Sequence, residues 1–428
     1  MKTAEQGNSI PVWDGIVWQQ LGERKRNSPE IFSVPEDEQQ EGAVVKLLTS
    51  LVHDAASAGA SDIHIEPFEN ETMVRMRLNG VLRPFTRLTG EVHPRLIRRI
   101  KILAELNIAE CRLPQDGHFR VWPEEKNKGC VNIRASIVPT VFGEKAVLRL
   151  LTNALVTDNA GSFSMDSESY ARFRPLLDSA NGLIYVTGPT GSGKSTTLYL
   201  ILKYLARRDV NIITVEDPIE KNIPGVNQMQ VAPGIGLTFE TGLRAILRQD
   251  PDIIMVGETR DSETANMSIR AAMTGHMVFS TLHARNAVSG IERMAELGVE
   301  RSLFGETVSC LTAQRLVRTV CPFCAAEVPA LPEEERMLGG KYRVRRSTGC
   351  AQCGGTGYAG RIAVHEILVV DRTVRRMILN GTVSEEIEEY VRTEQGMKTI
   401  REKGLELVRE GITTMEEVRK HCFDFENR

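Results

Sequence analysis

Gly188, Pro189, Thr190, Gly191, Ser192, Gly193, Lys194, Ser195 and Thr196 form one uninterrupted run. Glycines at this spacing let backbone N–H groups wrap phosphates. The lysine that follows reaches the β- and γ-phosphates, and the serine hydroxyl suits Mg²⁺. The run therefore predicts a site for ATP with Mg²⁺, with the segment 188–196 as the nucleotide-binding residues and Ser195 on the magnesium. Hydrolysis also needs a group that positions water. Glu258 closes the run Asp252-Ile253-Ile254-Met255-Val256-Gly257-Glu258 and is the candidate carboxylate. That run lacks a terminal aspartate, so Mg²⁺ needs another carboxylate, and Glu216, Asp217 and Glu220 are the candidates. His276 and His283 frame the apolar stretch Met277–Phe279 and are candidates for sensing the γ-phosphate.

A second chemistry lies further on. Cys321-Pro322-Phe323-Cys324 and Cys350-Ala351-Gln352-Cys353 are two thiolate hooks. Four thiolates suit tetrahedral Zn²⁺ in a closed structural site. A redox pair is the alternative reading. Cys111, Cys130, Cys310 and Cys422 show no spacing pattern and read as packing residues.

These residues need elements to hold them. The apolar runs 183–186, 212–215, 253–256 and 277–279 alternate with helical stretches. Continuous runs of that length fit strands covered on both faces, so a parallel α/β sheet is expected, with a helix over 196–206 behind the phosphate run. Upstream the rhythm differs. Val44, Val45, Leu47, Leu48 and Leu51 form a helical stripe. Residues 61–67 and 73–78 alternate as strands, and Asn79-Gly80 signals a hairpin turn. A helix over 91–106 and strands over 131–137 and 145–151 complete a mixed α/β domain. The expected organisation is a polar tail over 1–42, which carries Trp13 and Trp18, and a first α/β domain over 43–155. An ATPase domain over 161–318, a tetracysteine subdomain over 319–362 and a helical part over 363–428 follow.

The bulk numbers exclude several classes. The 428 residues carry a net charge of −3, so no basic field argues for nucleic acid. No run approaches the roughly 18 apolar residues of a membrane-spanning helix. The start has no apolar signal core, and the chain reads as cytoplasmic.

The four boxes, in order, carry a resemblance. Besides the phosphate run they are Thr214-Val215-Glu216-Asp217-Pro218-Ile219-Glu220, the stretch from Leu243 to Glu258, and Thr274-Gly275-His276 through His283. The chain resembles the secretion-superfamily ATPases that power type II secretion and type IV pilus assembly. In the first domain, residues 61–67, 112–117 and 143–145 are similar to signatures of the same family. The resemblance implies a PAS-like N-terminal α/β domain, a RecA-like P-loop domain, a zinc-binding insertion and a helical C-terminus. It implies that Arg134 and Arg149 reach the ATP phosphates. It also implies a homo-hexamer that drives an inner-membrane platform protein from the inner face of the cytoplasmic membrane. The tetracysteine insertion occurs in the assembly ATPases and is absent from the retraction relatives, which favours assembly. Asn79 stands where the family often has Asp, and both suit the turn. Many members carry another N-terminal domain for docking. Here about 42 residues precede the first folded domain, so either the segment with Trp13 and Trp18 replaces that contact or docking uses another surface. A RecA-like nucleic-acid motor, a DNA-uptake competence ATPase and a non-hydrolysing ATP sensor are the rival readings.

Overall fold

The structure, a computed structural model, describes residues 40–78, 80–122, 131–151 and 162–423. Two compact units divide at Ala154/Leu155. The first contains α1 (Gln40–Ser57), β1 (Ala60–Pro67), β2 (Glu71–Leu78), β3 (Val81–Thr89), α2 (Val92–Leu103), β4 (Gln115–Val121), β5 (Val131–Thr140) and β6 (Gly143–Leu151). The strands form one antiparallel sheet in the order β3-β2-β1-β6-β5-β4. Leu78 pairs with Val81, so a two-residue hairpin joins β2 and β3 as the turn signal requires. The α1 stripe of Val44, Leu47, Leu48 and Leu51 is buried with Ile63 and Ile65 of β1, each worth roughly 1.5–3 kcal/mol in water exclusion. The intervening residues Asp62, His64 and Glu66 share the other face of β1. There Glu66 takes Arg75 through two hydrogen bonds of 2.6 and 2.9 Å, and Lys145 at 2.8 Å.

The second unit contains α3 (Ser167–Phe173), β7 (Gly182–Thr187), α4 (Lys194–Leu205), β8 (Ile212–Glu216), β9 (Asn227–Gln230), α5 (Phe239–Ile246), β10 (Ile253–Val256), α6 (Ser262–Met273), β11 (Met277–Leu282), α7 (Ser289–Glu296) and α8 (Arg301–Thr307). Then come β12 (Val308–Val320), β13 (Ala325–Pro329), α9 (Pro332–Leu338), β14 (Arg343–Ser347), β15 (Tyr358–Val369), α10 (Arg372–Asn380), α11 (Ser384–Thr393), α12 (Ile400–Arg409) and α13 (Met415–Cys422). The main sheet runs β15-β12-β7-β11-β10-β8-β9. It is parallel from β12 to β9, with β15 antiparallel at its edge. Every residue of β7, β8, β10 and β11 is buried, because alternate residues feed two cores. Leu183, Tyr185, Ile254, Val256 and Val278 pack on the face covered by α5, α6 and α7. Ile184, Val186, Ile253, Met255 and Phe279 pack on the face covered by α4.

Two expected boundaries fall inside strands. The 318/319 boundary lies within β12 and the 362/363 boundary within β15, which pair from Cys310↔Val369 to Val320↔Tyr358. The cysteine segment is thus an excursion between two neighbouring strands of the ATPase sheet. The helical part contributes Val374, Ile378, Val391 and Val408 to the same core.

Candidate functional site

In a parallel sheet the residues that follow each strand collect at one edge. β7 ends at Thr187 and the loop 188–193 turns directly into α4. Gly188, Gly191 and Gly193 all have positive φ (145°, 79° and 89°), which a side chain would resist. Gly193 is the residue that precedes α4, and no side chain caps that helix, so its first-turn amides and dipole face the loop. Lys194 Nζ donates to the carbonyls of Gly188 (2.9 Å) and Pro189 (3.1 Å). Burial pushes the ammonium down from its ordinary range, and the nearby Glu258 carboxylate opposes that shift.

Glu258 stands two residues beyond β10, and its neighbours are splinted on both sides. Gly257 N–H donates to Val215 O at 2.8 Å, Thr281 Oγ1 donates to Gly257 O at 2.7 Å, and Thr259 N–H donates to Thr281 O at 2.9 Å. A Cβ at position 257 would crowd Glu216 Cα and Val215 O at 3.3 Å, so the glycine permits the close strand ends. The Glu258 side chain is mostly buried and ion-paired with Arg260. His283 follows β11. Burial lowers its pKa first, and the charge of Lys194 adds to this, so the imidazole is neutral at pH 7 and sits by the Gly188 backbone. Lys194, Glu258 and His283 therefore meet at the phosphate edge.

Of the other expected site residues, His276 does not reach that edge, and Glu216 reaches it with its carboxylate already engaged. His276 precedes β11 at the opposite edge, roughly 20 Å away along a six-residue strand. Its Nδ1 lies 2.8 Å from Ala271 O, and its carbonyl takes the Gly182 N–H, so it closes the turn after α6. A histidine on each side of one strand cannot put both at the same edge. Glu216 is the last residue of β8 and is buried. Its carboxylate accepts from Tyr199, from Thr214 Oγ1 at 2.6 Å and from Gln228 Nε2 at 2.9 Å. Those donors occupy it as a support. Tyr199 Oη in turn accepts the Glu220 N–H at 3.1 Å, and Ser195 Oγ donates to Glu220 Oε1 at 3.3 Å. The carboxylate beside Ser195 is thus Glu220, held in place through Glu216. Reading the sequence missed Gln314 on β12, whose amide bonds both the loop and α4. No local motif announces it.

The four hook cysteines converge, with all Sγ atoms within 4.8 Å of one another. Cys321–Cys350, Cys350–Cys353 and Cys324–Cys353 lie at 3.8, 3.8 and 3.9 Å. A tetrahedral ion with 2.3 Å Zn–S bonds has sulfur–sulfur edges of about 3.8 Å, whereas a disulfide needs about 2.05 Å. Short separations run between the hooks as well as within one, which fits a single ion better than a redox pair. The Cys350 and Gly357 amides both donate to Cys353 Sγ at 3.2 Å and hold that thiol down to about 5. A Cβ on Gly349 would strike the Gly355 backbone at 2.6 Å, so the hook closes only with glycine there. Of the cysteines read as packing residues, Cys310 and Cys422 are buried, but Cys111 is exposed.

Residues 37–420 match the profile of the type II/IV secretion system proteins. The chain belongs to that family. It is 46% identical over 387 residues to the type IV pilus assembly ATPase PilB of Thermus thermophilus, covering 89% of this chain and 43% of that protein. It is 40% identical over 405 residues to the type II secretion system ATPase E of Vibrio cholerae, covering 92% of this chain and 80% of that one. Among solved structures, the pilus retraction motor PilT with bound ADP superposes with a TM-score of 0.61 at 26% identity, over 87% of this chain and 96% of PilT. The Legionella pneumophila ATPase DotB superposes at 0.62 and 22% identity, over 87% and 95%, and shares the fold. With family and phosphate loop in agreement, the chain is an ATP-hydrolysing enzyme.

In this secretion-family chain the first unit sets Arg134 and Arg149 opposite each other on β5 and β6. Like charges so placed repel. Asp62 Oδ1 accepts from Arg149 Nε at 2.9 Å and offsets one of them, while the Arg149 side chain remains half exposed. Among the described residues, no helix is long and apolar enough to cross a membrane.

Proposed function

We propose that the chain powers assembly of a type II secretion pseudopilus or a type IV pilus, working as a homo-hexamer on an inner-membrane platform protein. The observation that carries this reading is the meeting of the phosphate loop, Lys194, Glu258 and His283 at one sheet edge, in a chain 40–46% identical to ATPases with those names. On this reading Lys194 leaves the Gly188 and Pro189 carbonyls for the β- and γ-phosphates of ATP. Ser195 and Glu220 would hold the Mg²⁺, which when bound neutralises charge on the phosphate oxygens. Glu258 accepts a hydrogen bond from the attacking water and orients it. Neutral His283 beside Gly188 donates or accepts a hydrogen bond near the γ-phosphate without adding charge. Arg134 and Arg149 are the first-unit residues we assign to the phosphates, where guanidinium groups stabilise spreading negative charge. Cys321, Cys324, Cys350 and Cys353 would hold a structural Zn²⁺. The working parts are then the first α/β unit, the ATPase sheet, the cysteine excursion and the C-terminal helices, on the inner face of the cytoplasmic membrane.

The test is steady-state turnover of MgATP by the purified chain. Lys194→Ala is expected to lower it at least 100-fold. The cytoplasmic part of a platform protein is expected to stimulate the wild type. Stimulation by single-stranded DNA instead would favour the nucleic-acid motor.

A further inference from the structure

The amide of Gln314 is fully enclosed on β12, beside the point where β7 becomes the phosphate loop. Its Nε2 donates to the Ser192 carbonyl at 2.8 Å, and its Oε1 accepts from Thr197 Oγ1 at 2.9 Å. The contact is close on both sides. A Cβ on Gly193 would approach Gln314 Nε2 at 2.9 Å, and one on Gly188 would approach Gln314 O at 2.5 Å. β12 thus reaches both the first and last glycines of the loop.

The consequence follows from the planarity of the peptide bond. In a trans peptide the C=O and the next N–H point in opposite directions. Gln314 draws the Ser192 carbonyl toward β12, so the Gly193 N–H faces away from β12. In phosphate loops the amides serve the anion and the carbonyls must turn outward. Without a donor outside the loop, the 192–193 peptide, whose rotation turns ψ of Ser192 and φ of the permissive Gly193, can swing its carbonyl inward, against the phosphates. Thr197 fixes the sense of the Gln314 amide by donating to its oxygen, which leaves the nitrogen for Ser192.

We infer that Gln314 is a positioning residue for nucleotide binding: it holds the 192–193 peptide with its N–H available to phosphate, and Thr197 sets the direction of its amide. The inference rests on reading residues 188–195 as the ATP site. It touches no reacting atom, so its loss falls on nucleotide affinity and KM rather than on kcat.

The discriminating variant is Gln314→Glu, nearly the same shape with the donor exchanged for an acceptor. Binding of MgADP is measured on the full chain at pH 8 and pH 6, as the ratio of variant to wild-type Kd. At pH 8 the ratio is expected to be about 10. At pH 6 it is expected to fall to about 3 or less, because a buried carboxyl titrates high and its protonated form regains an O–H donor for Ser192. Gln314→Leu, which has no donor at either pH, is expected to hold a ratio near 10 throughout. Thr197→Val is expected to raise Kd about threefold, and it serves if the Gln314 variants do not fold. A Gln314→Glu ratio near 1 at pH 8, or one that is independent of pH, overturns the inference. Failure of the wild type itself to bind MgADP would instead defeat the phosphate-site reading.

Discussion

The phosphate edge and the cysteine cluster of the second unit are built in opposite ways. The cluster takes its sulfurs from two hooks of four residues each, 321–324 and 350–353, shaped by adjacent glycines and backbone amides. The phosphate edge gathers the loop at 188–195, Glu220, Glu258, His283 and Gln314 from five separate stretches of chain. Nothing local holds these groups together. A parallel sheet does, by ending β7, β8, β10 and β11 at one edge. A site of the first kind stands or falls with its ligand, and one of the second kind with the sheet.

Metal removal should produce the largest effect. The purified chain is expected to hold about one Zn²⁺ per chain by metal analysis. A strong chelator should open the segment 321–357 to protease, because the binding energy of such a site is also its folding energy. The sheet should outlast this, with MgADP affinity falling less than threefold. An equal collapse of nucleotide binding would break the contrast, and a metal-free chain with a protected hook would remove the zinc assignment. A smaller effect is expected at Glu216. Gln at this position turns an N–H toward one of three donors, at a cost of about 1–3 kcal/mol. Glu216→Gln should therefore lower the unfolding temperature and reduce turnover by less than tenfold. A 100-fold loss with unaltered stability would return Glu216 to the chemistry.

The same contrast explains what could be read from the sequence. The phosphate run and both hooks were legible because each is complete within a few residues. The strands β7, β8, β10 and β11 were legible because burial on both faces makes each an unbroken apolar run. β12 was not, since Gln314, Arg315 and Arg318 interrupt it. Their partners lie far away in sequence: Gln314 on Ser192 and Thr197, Arg318 on Glu417. With β12 unseen, the domain boundaries at 318/319 and 362/363 cut two strands. Glu216 and His276 had the right residue types in the right boxes. Only the direction of the strand and the donors around the carboxylate separate them from Glu258 and His283. The hairpin at Gly80 came out as read, whereas Trp13, Trp18, Asn79 and Cys130 lie outside the described residues.

On our proposal, Glu258 orients water while the loop binds nucleotide. Glu258→Gln keeps the size of the side chain and weakens its acceptor. The decisive measurement is MgATP affinity together with turnover in this one variant. The expected result is a Kd within about threefold of wild type and a turnover reduced by 10² or more, in line with the loss of a positioned base. Wild-type turnover in Glu258→Gln would rule out that role for the carboxylate.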